Sequence, residues 1–266
     1  MGLQLVILGY HRSGTSAVTQ HLVRAGLFVG DDLLGANTSN PHGHFEDRAF
    51  IDIHERIFRE NGENWLAPNP FVPIVSREVR NRIRALVGNR DAYHSAWAFK
   101  DPRACLFVDM WRTMLSDPHF LICLRHYRAC IDSVVRRALA GVSTTTVRHD
   151  ARLQMLVAAD HDAIGRSWIA HMLPLLRLMR HHGDRVHVVD VEHASGSIAA
   201  DLHTKFGLSL EPVPLAETFD DSIFHSNASA DIALSRDVET LAERVWQALL
   251  EMARQTGNAD ELGEAA

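Results

Sequence analysis

The chain has 266 residues, enough for one large α/β domain or for such a domain with a helical insertion. Its 46% apolar and 23% charged content is that of a globular protein. The formal charge of −6 argues against non-specific nucleic-acid binding, so any anionic ligand must be met by local arginines.

Gln4 to Gly9 reads as a first, buried strand, and Gly14 to Ala25 as a helix with Ala17, Val18, His21, Leu22 and Ala25 on one face. Between them lies Gly9-Tyr10-His11-Arg12-Ser13-Gly14-Thr15-Ser16. Backbone N–H groups around Gly14 and the helix N-terminus favour an anion there. Thr15 and Ser16 add hydroxyls, and Arg12 adds a permanent bidentate cation. The two glycines have the spacing of a nucleotide-triphosphate loop, but Thr15 stands where the phosphate-reaching lysine belongs. The turn is suited to phosphate and poorly equipped for triphosphate chemistry.

Gly30 to Gly43 reads as a loop, Glu46 to Glu60 as a helix, and Asn61 to Pro73, with three prolines plus Trp65 and Phe71, as a lid or recognition segment. Ser76 is placed to cap a helix from Arg77 to about Val87, whose arginines spread into a solvated face. A short strand at Trp97 to Phe99 ends in Lys100-Asp101-Pro102-Arg103, and a helix carries Cys105 to Leu115. Phe120 to Leu124 is an uninterrupted apolar strand, followed by Arg125-His126 and a helix over Ala129 to Leu139. The pattern continues with a helix from His149 to His182 broken near Gly165, a strand over Val186 to Val191, and helices near Ile198 to Phe206 and Asp237 to Ala253. This alternation predicts an α/β fold with a mainly parallel central sheet flanked by helices on both faces. Residues 1–255 are expected to form one domain and 256–266 a frayed tail.

In such a sheet, ligands collect at the carboxyl ends of the strands. Arg12, Lys100, Arg103 and Arg125 all lie at strand ends, so neighbouring strands would bring four cations to one edge. Ser133, eight residues beyond Arg125, would reach the same phosphate from the following helix. His42, His44 and Glu46 lack the spacing of a metal site, and none is expected. No apolar run has the length of a membrane span, and the start shows neither signal-peptide features nor a complete myristoylation signal. Cys105, Cys123 and Cys130 show no paired spacing and read as reduced, buried thiols of a cytoplasmic protein.

These motifs resemble those of the sulfotransferases that use 3′-phosphoadenylyl sulfate (PAPS). Gly9 to Ser16 is similar to their 5′-phosphosulfate loop, and Arg125 with Ser133 to their 3′-phosphate motif. Lys100-Asp101-Pro102-Arg103, the Pro41-x-Gly43-x-Phe45-Glu46-Asp47 stretch, Trp168 and Val188 to Glu192 resemble a bacterial branch with a P-loop-like fold. The resemblance covers residues 3 to about 210. It implies PAPS as co-substrate, 3′,5′-ADP as product, no metal, and nucleotide binding by His11, Arg12, Ser13, Gly14, Thr15, Ser16, Arg125 and Ser133. It also implies Glu46 as the base, with His44 as rival and Asp101 as a weaker one, better placed to orient Arg12 or Arg103. The acceptor would be a hydroxyl- or amine-bearing small molecule, glycan or lipid, and the enzyme would act alone or as a homodimer. A P-loop kinase and a non-catalytic nucleotide-binding protein are the alternatives.

Overall fold

In the computed structural model, residues 2–35, 43–142, 155, 157–217 and 232–256 are described. Four parallel strands form the sheet of the described residues: β1 (Leu3–Leu8), β2 (Ala96–Lys100), β3 (Pro118–Leu124) and β4 (Val186–Asp190), in the order β2-β1-β3-β4. Leu5 to Leu8 are completely buried, as continuous apolar runs are when both faces of a parallel sheet are covered.

Period-two alternation divides the sheet into two cores. Leu5, Ile7, Leu121, Cys123 and Val189 face one way, against α1 (Thr15–Arg24) and α7 (Ile198–Phe206). Val6, Leu8, Phe99, Phe120 and Ile122 face the other, larger core. There the covering elements are α2 (Arg48–Asn61), α3 (Arg77–Tyr93), α4 (Val108–Met114), α5 (Tyr127–Val142), α6 (His161–His182) and α8 (Arg236–Gln255). The fold class expected from the sequence is therefore the one observed.

The differences lie at element boundaries. Glu46 precedes α2 instead of opening it: Asp47 is the N-cap, its carboxylate accepting from Ala49 N at 2.9 Å. The segment after β2 is two pieces, a 3₁₀ turn at Pro102–Phe107 and then α4, because Asp101 caps a turn that begins with proline. The helix after β3 starts at Tyr127, and α3 runs to Tyr93.

Gly165 does not break a helix. It lies inside α6, where a Cβ would come within 2.6 Å of Val238 Cγ1, so its smallness admits α8 to close packing. The interruption falls at Asp160, which leaves helical geometry and caps Ala163 N at 2.8 Å. The expected helix between residues 149 and 154, His42, and the tail over 257–266 lie outside the described residues.

Register sets up the site. Ile7 pairs with Lys100 and Leu8 with Ile122, which puts the turn after β1 beside the carboxyl ends of both neighbouring strands.

Candidate active site

The turn after β1 is shaped by its glycines. A Cβ on Gly9 would lie 2.8 Å from the Cys123 carbonyl oxygen, and backbone cannot yield as a side-chain tip can. The turn closes through Ser13 N donating to Tyr10 O at 3.1 Å, and both Arg12 (φ 69°) and Gly14 (φ 81°) are left-handed. Among the described residues no side chain caps the start of α1, and the buried Ser13 hydroxyl has no hydrogen-bond partner. Unsatisfied donors at a helix N-terminus form an anion cradle.

Arg12 joins the two expected phosphate elements. Its Nε donates to Ser133 Oγ on α5 at 3.0 Å, and its carbonyl accepts from Arg125 Nη1 at 3.1 Å. Arg125 Nε lies 3.2 Å from Glu192 Oε1, just beyond β4. Arg12 itself forms no ion pair among the described residues. Burial, together with the like charges of Arg137 and Arg125, pushes its guanidinium below the ordinary arginine range. An anion would relieve all of these costs.

A second group assembles around Glu46. Lys100 Nζ, almost completely buried at the end of β2, donates to Glu46 Oε1 at 2.8 Å and to Ser16 Oγ at 3.2 Å. Arg103 Nη2 donates to Glu46 Oε2 at 3.0 Å. Asp101 therefore orients Arg103, through Nε at 2.7 Å, and not Arg12. Burial pushes the Asp101 carboxyl up, but Arg103 and His54 outweigh it and hold it below the usual carboxylate range.

The backbone that carries His44 and Glu46 is tied down on its far side. Leu34 N donates to Glu46 O at 2.7 Å, and His44 N to Leu34 O at 3.2 Å. Buried Arg90 holds Asp47 at 2.6 Å. Burial pushes the His44 imidazole down to about 4, and its Nε2 has no hydrogen-bond partner among the described residues. His11 is likewise lowered, by burial and then by the charges of His171 and Arg103. The His11 ring meets Trp65 edge-on, with centroids 4.8 Å apart.

Arg12, His44, Glu46, Arg103, Trp65 and Arg137 line one cavity of about 560 Å³, whose apolar wall includes Leu34, Ile51 and Val134. Arg137 was not anticipated. It lies one helical turn beyond Ser133, so the helical spacing carried the signal. Among the described residues it makes no hydrogen bond or ion pair. The pairing of Glu192 with Arg125 was not anticipated either. The arginines of α3 that the sequence assigned to solvent, Arg77, Arg80, Arg82 and Arg84, are exposed.

A parallel α/β sheet with a glycine-bearing turn after β1 and strand-end arginines belongs to the class of open α/β folds whose ligands gather at the carboxyl ends of the strands. More narrowly, the fold is that of sulfotransferase domains. The sulfotransferase domain from the curacin biosynthetic pathway superposes with a TM-score of 0.52 at 12% identity, covering 92% of this chain and 98% of that one. The corresponding domain of the Synechococcus PCC 7002 olefin synthase aligns at 16% identity over 91% and 94% of the two chains, with a TM-score of 0.49. A sulfotransferase of Mycobacterium tuberculosis H37Rv aligns at 16% identity over 92% and 76%, with a TM-score of 0.46. No family model matches the sequence, and comparison with curated proteins finds no match. Among the described residues, no helix is long and apolar enough to cross a membrane.

Proposed function

We propose that the chain is a sulfotransferase that takes its sulfuryl group from PAPS and passes it to a hydroxyl or amine. The observation that supports this most is the meeting of two anion-binding elements at Arg12: the β1–α1 turn on one side, and Arg125 with Ser133 on the other. Two such elements suit a nucleotide phosphorylated at both its 5′ and 3′ positions.

The residues present fit that donor. The Ser13 hydroxyl and the start of α1, without partner or cap among the described residues, are donors that a 5′-phosphate would satisfy, with His11, Gly14, Thr15 and Ser16 completing the cradle. Arg125 and Ser133 would hold the 3′-phosphate. PAPS supplies a sulfuryl group already activated on a phosphate leaving group. Arg12, with Arg137 beside it, stabilises the negative charge that develops there. Glu46 takes the acceptor proton, and Lys100 and Arg103 fix its carboxylate. His44, kept neutral by burial, is the alternative base.

The cavity wall of Leu34, Ile51 and Val134 favours an acceptor with an apolar portion, whether small molecule, glycan or lipid. Three free, buried cysteines accord with a cytoplasmic location, and residues 1–255 are taken as one domain acting alone or as a homodimer.

The test is transfer from radiolabelled PAPS into a cell extract fractionated by polarity. Label should enter a discrete product with the wild type and not with Arg12→Ala. Thermal stabilisation by Mg-ATP but not by 3′,5′-ADP would point to a kinase instead.

A further inference from the structure

The charged residues around Glu46 do not end at the cavity wall. Arg103 spreads its guanidinium over three carboxylates: Nη2 to Glu46 at 3.0 Å, Nη1 to Glu55 at 2.7 Å, and Nε to Asp101 at 2.7 Å. Behind Arg103, Asp101 Oδ2 lies 2.7 Å from His54 Nδ1, and both side chains are fully buried. Behind His54, Trp111 Nε1 donates to His54 Nε2 at 2.9 Å.

An indole N–H can only donate. His54 Nε2 must therefore accept, which leaves the ring proton on Nδ1, directed at Asp101. Packing holds the ring in place: Phe107 stacks on it at an interplanar angle of 7°, and Trp111 stands at 90°. Each link thus has one orientation available to it, from the core outward to the cavity.

Apolar side chains would fill this volume at no greater cost, since buried ion pairs add little net stability. What the chain of contacts does provide is a fixed guanidinium at its outer end. We propose that His54 is a positioning residue: by donating to Asp101 it fixes Arg103, and through Arg103 it holds the Glu46 carboxylate in the orientation needed to take the acceptor proton. This rests on the reading of Glu46 as the base.

The two amide substitutions of histidine separate this role from packing. In His54→Asn the amide nitrogen replaces the Nδ1–H donor to Asp101. In His54→Gln the amide reaches the Nε2 position and serves Trp111 alone. His54→Gln should lower kcat about 10-fold or more, as loss of a supporting hydrogen bond commonly does. It should also shift the acid limb of the kcat–pH profile, with 3′,5′-ADP affinity within about 2-fold of wild type. His54→Asn should restore most of kcat. Equal losses in the two variants, or none, overturn the proposal.

Should His54→Gln not fold, Trp111→Phe keeps the core filled while freeing the imidazole to change tautomer. It should shift the same acid limb, and an unchanged profile overturns the proposal. Nitrogen-15 NMR of the histidines gives a readout without turnover: an Nε2–H tautomer at His54 breaks the chain. A wild type that shows this chain intact but transfers no sulfuryl group removes the proposed function, and the positioning role falls with it.

Discussion

Arg12 Nε donates to Ser133 Oγ at 3.0 Å, across 121 residues of sequence, and Arg125 Nη1 donates to the carbonyl of the same arginine. The turn that would hold one phosphate is thus bonded to both residues that would hold another. A nucleotide with phosphates at both ends should exploit this, so 3′,5′-ADP should bind substantially tighter than 5′-AMP. Arg125→Ala should erase the preference at a cost of about 2–4 kcal/mol, as for a desolvated charge contact. Calorimetry with equal affinities for the two nucleotides would remove the 3′-phosphate assignment.

Arg12 and Arg137 are the two cavity arginines that form no ion pair among the described residues; Arg48 and Arg103 already face carboxylates. Their charge is available to a group whose own charge grows during reaction. Arg12→Ala should therefore lower kcat more than it raises the KM for PAPS, by about 100-fold. Arg137→Ala should lower kcat in the same sense, by about 10-fold, since it stands farther from the turn and closer to solvent. If both variants keep wild-type kcat and only weaken binding, these arginines position the donor and do not stabilise the leaving group.

The parts of the site legible in the sequence were those with local signals. Gly9 to Ser16 is a contiguous turn, and Arg125 and Ser133 lie on one strand end and its helix. The contacts of Glu46 were not legible, because Lys100 and Arg103 come from β2 and the turn after it, 54 and 57 residues away. His54 read as one of several apolar-face positions of α2, with nothing in the pattern to connect it to Asp101 or Trp111. Gly165 illustrates the opposite error. Glycine is a helix breaker by propensity, but here tertiary packing against Val238 determines its conformation.

Buried neutral histidines make a prediction about acid stability. Burial pushes His171 and His187 down to about 4, and among the described residues His187 has no hydrogen-bond partner at either nitrogen. An unfolded histidine protonates near pH 6.5, so between about 6.5 and 4 the unfolded state binds more protons than the folded one. Stability should be full above that window and fall as the pH drops through it, by up to about 3 kcal/mol for each such group. Urea midpoints measured at several pH values will show the slope. His187→Leu should flatten it and raise the midpoint at low pH; an unchanged slope would assign the acid sensitivity to other groups.

Glu46 and Asp47 are adjacent carboxylates with separate expected effects on substitution. Glu46 lines the cavity between two cations, whereas Asp47 caps α2 and holds Arg90 on the far side of the backbone. Glu46→Gln keeps shape and removes basicity, and its single amide oxygen can accept from Lys100 or from Arg103 but not from both. It should leave 3′,5′-ADP affinity nearly unchanged while transfer falls by about 100-fold, the usual range for loss of a general base. Asp47→Asn should do the reverse. Transfer persists, while stability drops by about 2 kcal/mol as buried Arg90 loses one of its two carboxylates and keeps only the exposed Asp31. His44→Asn decides between the two candidate bases. If it abolishes transfer while Glu46→Gln retains most of it, the proton goes to the neutral imidazole of His44, and Glu46 serves only to hold Lys100 and Arg103 at the edge of the cavity.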